Sequence, residues 1–222
     1  MIIGNGMLAN ALRKYDRDDV VFFASGVSNS QETNRSEFER ELSLLYSTSD
    51  QYKDKKLIYF STCSMYDNSK SDSLYVQHKI NIEHIISEVY KDFLIFRIGN
   101  AVGKGGNPNT LINFLKSAIE TNKKITLHKN AGRILVSVDD IAEFVSNALM
   151  QFKNQHIDFA YPYQYKPLEI VSGMENYLGR KANYEIIDEG ALYEMEFDRI
   201  IKDYFRDISP SEYLDKIFKS HL

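Results

Sequence analysis

Tyr75 and Lys79 stand four residues apart in the run Tyr75-Val76-Gln77-His78-Lys79. On a helix that spacing puts both side chains on one face, a turn apart. A phenol with a pKa near 10 is a poor base at pH 7; ionising it there takes about three pK units, or roughly 4 kcal/mol of differential stabilisation. A neighbouring ammonium supplies part of this. The phenol can then exchange a proton with a sugar or alcohol hydroxyl while a hydride moves. Such chemistry also needs a hydroxyl to orient the substrate oxygen. Ser61 and Thr62 end the apolar run that precedes the Tyr–Lys segment, at the strand end where α/β sites lie.

A second constellation is Gly4-Asn5-Gly6-Met7-Leu8-Ala9, a G-x-G-x-x-A turn directly after Ile2-Ile3. The first glycine permits a tight turn, the second lets the backbone approach a pyrophosphate, and a small third residue lets helix and strand pack closely. The free N–H groups at the helix start favour the anion. A cationic nicotinamide bound there would add to the stabilisation of a Tyr75 phenolate. One element of the pattern is missing. A dinucleotide fold that prefers NAD carries an acid roughly 20 residues after the turn. The chain has Phe23-Ala24-Ser25-Gly26 there, with neither an acid nor an arginine for a 2′-phosphate. Three readings follow: the adenosine end is held differently, affinity is low, or the cofactor has been lost.

These residues sit in a chain whose patterns alternate. Short apolar runs at 20–24, 57–61 and 93–97 read as buried parallel strands. Between them, Ser36-Glu37-Phe38-Glu39 has the form of a capping box for a helix over about 37–48, and the spacing of Ile82, Ile85, Ile86 and Val89 predicts a helix from about 73 to 90. Later helices are expected over about 109–120, from 137 or 139 to 152, over 168–178 between Pro167 and Gly179, and after a Ser209-Pro210-Ser211-Glu212 cap. Extended segments are expected near 125–127 and 156–160. Strands alternating with helices predict an α/β fold, a Rossmann-like parallel sheet with helices on both faces. Residues 1–160 would form the core, and 161–222, richer in aromatic and charged residues, a small integrated C-terminal lobe.

Composition narrows the partners. The chain has 222 residues, 43% hydrophobic, with a net charge of −4. That supplies a core and speaks against a broad nucleic-acid surface. No apolar run approaches the roughly 20 residues that span a bilayer. The start, MIIGNGMLANALRKY, lacks the pattern of a secretory leader, and the lone Cys63 suits a reducing, cytoplasmic setting. The five histidines form no H-x-x-x-H pair, so no metal site is expected. His78 and His84 are expected on the surface of the Tyr–Lys helix, and Cys63 as a buried small hydrophobe.

Taken in order, the motifs resemble the extended short-chain dehydrogenase/reductase family, the nucleotide-sugar epimerases and dehydratases, over nearly the whole chain. Gly4, Asn5, Gly6, Met7 and Leu8 resemble its glycine-rich turn. Val20-Val21-Phe22-Phe23-Ala24-Ser25-Gly26 is similar to its fourth strand, whose end at Ala24 and Ser25 runs past the nicotinamide. Phe60-Ser61-Thr62-Cys63-Ser64-Met65-Tyr66 resembles its strand-five hydroxyl motif, with Thr62 at the catalytic position and Ser61 beside the cofactor. Tyr75 and Lys79 match its Tyr–Lys pair. Asn100 in Arg97-Ile98-Gly99-Asn100, Thr110 in Asn109-Thr110-Leu111, and Arg133 before Val138-Asp139-Asp140 resemble substrate-binding segments.

The resemblance implies an NAD- or NADP-dependent epimerase or reductase of a nucleotide-activated sugar, in cell-surface polysaccharide synthesis. Tyr75 would be the acid/base, with Lys79 lowering its pKa and contacting the nicotinamide ribose. Thr62 would hold the reacting oxygen, and Asn100, Thr110 and Arg133 the substrate. It also implies a homodimer through the Tyr75/Lys79 helix, for which Ile82, Ile85, Ile86 and Val89 offer an apolar stripe that serves equally as core. Asp139 and Asp140 are expected as helix caps.

Three departures stand beside the likeness. Only about 18 residues separate Gly6 from Ala24, too few for the second and third strands that frame adenine. Cys63 and Ser64 follow Thr62 where the 4,6-dehydratases carry Asp-Glu, which argues against dehydration. Register places Glu37 where the family often has an asparagine near the cofactor. A cofactor-poor nucleotide-sugar sensor or scaffold, or a reductase of a small carbonyl, is the rival reading.

Overall fold

The computed structural model describes residues 1–105 and 107–222. The first half runs β1 (Ile2–Ile3), α1 (Met7–Leu12), β2 (Val20–Phe23), α2 (Arg35–Tyr52), β3 (Lys56–Thr62), α3 (Leu74–Val89) and β4 (Phe93–Ile98). The second runs β5 (Asn100–Val102), α4 (Leu111–Glu120), β6 (Ile125–His128), β7 (Leu135–Ser137), α5 (Val138–Ala148) and β8 (Gln155–Phe159). It closes with α6 (Pro167–Leu178), β9 (Tyr184–Ile187), α7 (Arg199–Tyr204) and α8 (Pro210–His221).

Five strands form an all-parallel sheet in the order β1-β2-β3-β4-β8. Strands buried on both faces read as unbroken apolar runs, and their side chains alternate between two cores. Val21, Phe23, Leu57, Tyr59 and Ile95 face Leu45 of α2 and Ile82 and Ile86 of α3. Phe22, Ile58, Leu94 and Phe96 face the opposite way, into a larger core with Leu12 of α1, Ile141 and Val145 of α5, and Ile217 of α8. The helices therefore cover both faces, as the alternating pattern predicts. Among the described residues β1 is paired only with β2. Among these residues the sheet ends at β1, and the two strands expected to be missing have no counterpart there.

Two short parallel pairs, β5–β7 and β6–β9, lie outside this sheet. Residues 161–222 share the larger core: Tyr213 and Phe218 are fully buried in it, and Tyr161 stacks on Tyr213 with ring centroids 4.2 Å apart. Gly179 ends α6 at φ +63°, and Ser209 with Glu212 caps α8 reciprocally.

Some local expectations change. α2 starts earlier than the Ser36 box suggests, because Asn34 accepts the Ser36 N–H at 3.1 Å and becomes the N-cap. Asp139 is exposed in the first turn of α5. Asp140 instead turns inward and ties α5 to α8, accepting from Tyr213 Oη at 2.8 Å and pairing with Lys216 at 2.7 Å. In the Ile82–Ile85–Ile86–Val89 stripe, Ile82 and Ile86 have no exposed surface. Both are core and unavailable to a second copy.

Candidate active site

The loops at the C-terminal ends of β1–β4 surround a cavity of about 1000 Å³. At one end lies the glycine turn. Gly4 has φ +122°, and a Cβ there would sit 2.4 Å from the Ala24 carbonyl oxygen. A glycine is therefore required for β1 to lie against the end of β2. Gly6 is different. It is the N-cap of α1 at φ −72°, and a Cβ there would meet nothing within 4 Å. It faces the cavity with Asn5, Met7 and Leu8. Ala9 is fully buried beneath the turn, the close packing its small side chain predicts. Ala24 and Ser25, at the end of β2, line the same space.

The middle of the cavity is walled by the end of β3 and the start of α3. Tyr75 is 7% exposed. Burial pushes its phenol up to about 12, and the Thr62 hydroxyl opposes this only in part. Thr62 Oγ1 accepts the Ser64 N–H at 3.0 Å, which fixes its rotamer toward the cavity. Ser61 Oγ is buried without a hydrogen-bond partner among the described residues. Cys63 is buried beside them with Sγ on the Arg97 carbonyl at 3.1 Å, and burial pushes its thiol well up, so it is held as an inert thiol.

Lys79 does not present a free ammonium. It is 2% exposed. Its Nζ donates to Glu41 Oε1 and to Tyr59 Oη, each at 2.9 Å, and lies 5.9 Å from the Tyr75 ring centroid. Glu41, on α2, is completely buried. It also accepts from Tyr59 Oη at 2.6 Å and from the Val27 N–H at 2.7 Å, and contacts His78 Nε2 at 3.0 Å. Burial pushes its carboxyl up, but the Lys79 charge and these hydrogen bonds reverse that and hold it well below the usual carboxylate range. Gly26 makes room: a Cβ there would stand 2.6 Å from Lys79 Nζ and 2.8 Å from Glu41 Oε1.

Glu41 and Tyr59 are neighbours of the candidate site that the sequence reading missed. Glu37, expected at this place, is half-buried one turn earlier and pairs with Arg40 at 3.1 Å. His78, expected on the surface, is turned inward onto Glu41, whereas His84 is exposed. A signal was available. Glu41 shares the buried face of α2 with Leu45 and Thr48, and Lys79 shares that of α3 with Val76 and Ile82. Opposite charges on two buried stripes need each other.

At the far end lie Asn100, Thr110 and Arg133. Asn100 is half-buried and anchored through Nδ2 to the Ile134 carbonyl at 3.0 Å. Thr110 is the N-cap of α4 with its side chain not used in capping. Arg133 spends one of its five N–H donors on the Gly132 carbonyl at 2.7 Å. Its backbone is fixed by a bridge to Tyr165. Tyr193 joins them, 8% exposed. Burial raises its phenol, and Arg133 counters this. Nothing in the local sequence around Tyr193 marks it; the loop after β9 brings it in.

A parallel α/β sheet with a glycine turn after its first strand, a strand-end hydroxyl and a helix-borne tyrosine, all opening on one cavity, defines a Rossmann-like fold with its candidate site at the strand ends. The sequence matches the NAD dependent epimerase/dehydratase family over residues 6–160. The chain belongs to that family. No curated protein matches the sequence. Among solved structures it is similar to the UDP-glucose 4-epimerase of Thermus thermophilus in complex with NAD (TM-score 0.71, 16% identity, covering 96% of this chain and 80% of that one). It is similar to the dTDP-glucose 4,6-dehydratase of Bacillus anthracis in complex with NAD (0.69, 16%, 90% and 71%). It is also similar to RMD from Pseudomonas aeruginosa complexed with NADPH (0.69, 12%, 91% and 80%). At these identities the likeness is one of fold.

Proposed function

We propose that the protein is an NAD(P)-dependent epimerase or reductase of a nucleotide-activated sugar, serving cell-surface polysaccharide synthesis in the cytoplasm. The observation that carries this reading is the single cavity in which the open Gly6 turn, the Tyr75–Thr62 pair and Arg133 follow one another. Residues 1–160 would act as the cofactor-binding core and 161–222 as the substrate lobe.

A nicotinamide dinucleotide fits part of this cavity. Its diphosphate would lie over Gly4, Asn5, Gly6, Met7 and Leu8, where Gly6 leaves open space. The unpartnered Ser61 Oγ offers a hydrogen bond to its nicotinamide end, with Ala24 and Ser25 lining the same cavity from the adjacent strand. The adenosine has less support, because the sheet stops at β1 and no acid ends β2. When bound, the group supplies hydride acceptance and donation. The chain's own residues do the rest. Thr62 orients the reacting oxygen, Tyr75 holds or delivers its proton, and Asn100, Thr110 and Arg133 hold the sugar nucleotide. Cys63, a buried thiol locked on the Arg97 carbonyl, and Ser64 follow Thr62 in place of a carboxylic acid and base for eliminating water, which supports the reading against a 4,6-dehydratase.

Calorimetric titration with NAD, NADP and a panel of nucleotide sugars tests the reading. Binding of both ligand classes is the expected result. Sugar-nucleotide binding without dinucleotide binding would instead establish a sensor or scaffold, the reading favoured by the sheet's early edge. Tyr75→Phe should abolish turnover with affinity near wild type; unchanged turnover removes Tyr75 from the mechanism.

A further inference from the structure

We propose that Glu41 draws the Lys79 ammonium away from the Tyr75 phenol, so that Tyr75 is a proton donor and the site reduces a sugar carbonyl instead of epimerising an alcohol carbon. This rests on the dinucleotide reading above and decides between its two activities.

The geometry is specific. Both members of the pair are almost wholly buried, and their charges cancel at 2.9 Å. Tyr59 bridges them, donating to Glu41 Oε1 while accepting from Lys79 Nζ. On the α3 side His78 contacts Glu41 Oε2, and from the loop after β2 the Val27 N–H does the same. Tyr75 therefore faces a neutral pair in a buried setting. A buried phenol beside a neutral pair keeps its proton, in agreement with the upward shift at Tyr75. Glu41 acts through Lys79 and is a positioning residue.

The two activities place opposite demands on that proton. Epimerisation through a ketone begins when an alcohol loses its O–H proton to the phenolate as its C–H hydride leaves. Carbonyl reduction begins with the phenol protonated. Hydride from a reduced nicotinamide forms the new C–H bond, and the carbonyl π pair moves to oxygen. That oxygen takes the Tyr75 Oη proton, and the resulting phenolate regains a proton from water. Reduction, with a neutral reduced nicotinamide, starts from the protonation state that the Glu41–Lys79 pair maintains, whereas oxidation would need the nicotinamide cation to make up alone for the charge that Glu41 cancels.

The test reads Tyr75 in the protein without cofactor. Tyrosinate absorbance is followed against pH for the wild type and for the double variant Glu41→Gln/Lys79→Met, each compared with its Tyr75→Phe counterpart. Removing both members of a buried pair together is the tolerated change: the introduced amide keeps its oxygen for the Val27 N–H, and its NH2 group donates to Tyr59 Oη, which Lys79 no longer occupies. The expected result is no Tyr75 ionisation through neutral and mildly alkaline pH in either protein. In addition, wild-type oxidation of the product alcohol should climb roughly tenfold per pH unit across that range while reduction stays flat. A Tyr75 phenolate near neutrality in the wild type, or an oxidation rate already level there, overturns the proposal whether or not the double variant folds. Failure of dinucleotide binding by calorimetry overturns the broader reading and this one with it. An ionised Tyr75 in a protein that binds dinucleotide overturns this inference alone.

Discussion

Replacing Gly4 by alanine drives a methyl group into the backbone of the neighbouring strand. The new Cβ would lie 2.4 Å from the Ala24 carbonyl oxygen and 2.8 Å from its carbon. Neither atom can swing aside, because the Ala24 N–H is itself bonded to the Ile3 carbonyl at 2.8 Å. The φ of +122° adds strain of its own, about 1–3 kcal/mol for such a backbone. Overpacking adds about 1–3 kcal/mol. The total of about 2–6 kcal/mol corresponds to a melting point lowered by about 4–24 °C in a chain of this length. Gly6→Ala is the matched control. Its φ of −72° suits any residue, and its Cβ position is empty. The poorer N-cap and the stiffer unfolded chain offset each other to within about 0.5 kcal/mol. Its methyl group would instead occupy the place where a diphosphate approaches, costing at least about tenfold in dinucleotide affinity, near 1.4 kcal/mol. Thermal melts and calorimetry on the two variants read both quantities. A Gly4→Ala protein that melts with the wild type, or a Gly6→Ala protein that binds dinucleotide unchanged, refutes the assignment of packing to one glycine and ligand approach to the other.

Arg133→Ala should weaken nucleotide-sugar binding in calorimetry while leaving dinucleotide binding intact; unchanged sugar binding points to a small carbonyl substrate without a nucleotide handle. Tyr213→Phe strands the Ser137 N–H, now 3.0 Å from the phenolic oxygen, and removes a donor to Asp140. It should cost about 1–3 kcal/mol in urea unfolding. Glu41 gives a signed pH dependence. Its folded carboxyl is held below the usual range, so its contribution is complete above the unfolded value of about 4.3 and is lost as pH falls below it. Unfolding free energies measured down this acid range should therefore fall less steeply for Glu41→Gln than for the wild type, and parallel slopes would refute the pairing.

The strands were legible because burial on both faces leaves continuous apolar runs, as in Val20-Val21-Phe22-Phe23. The glycine turn and the Tyr75–Thr62 wall were legible because each is built from residues close in sequence. The Glu41–Lys79 contact joins residues 38 apart, and only packing of α2 against α3 brings them together. The reading stopped one helical turn short, at Glu37, because register along a helix is periodic whereas reach into a core is not. The strands β5, β7 and β9 are three or four residues long, too short for alternation to show. Each exists because of its partner across the chain.

The succession of strands bears on how the molecule is made. β1 to β4 lie side by side in the order in which they leave the ribosome, so each finds its neighbour already present and none must be inserted between paired strands. Phe22, Ile58, Leu94 and Phe96 nevertheless form a face whose cover is shared by α1, α5 and α8, and α8 is complete only at His221, well after Ile98. At about 5–20 residues per second that cover stays incomplete for roughly 6–25 s after β4 is made, the interval in which the nascent chain is most exposed to aggregation.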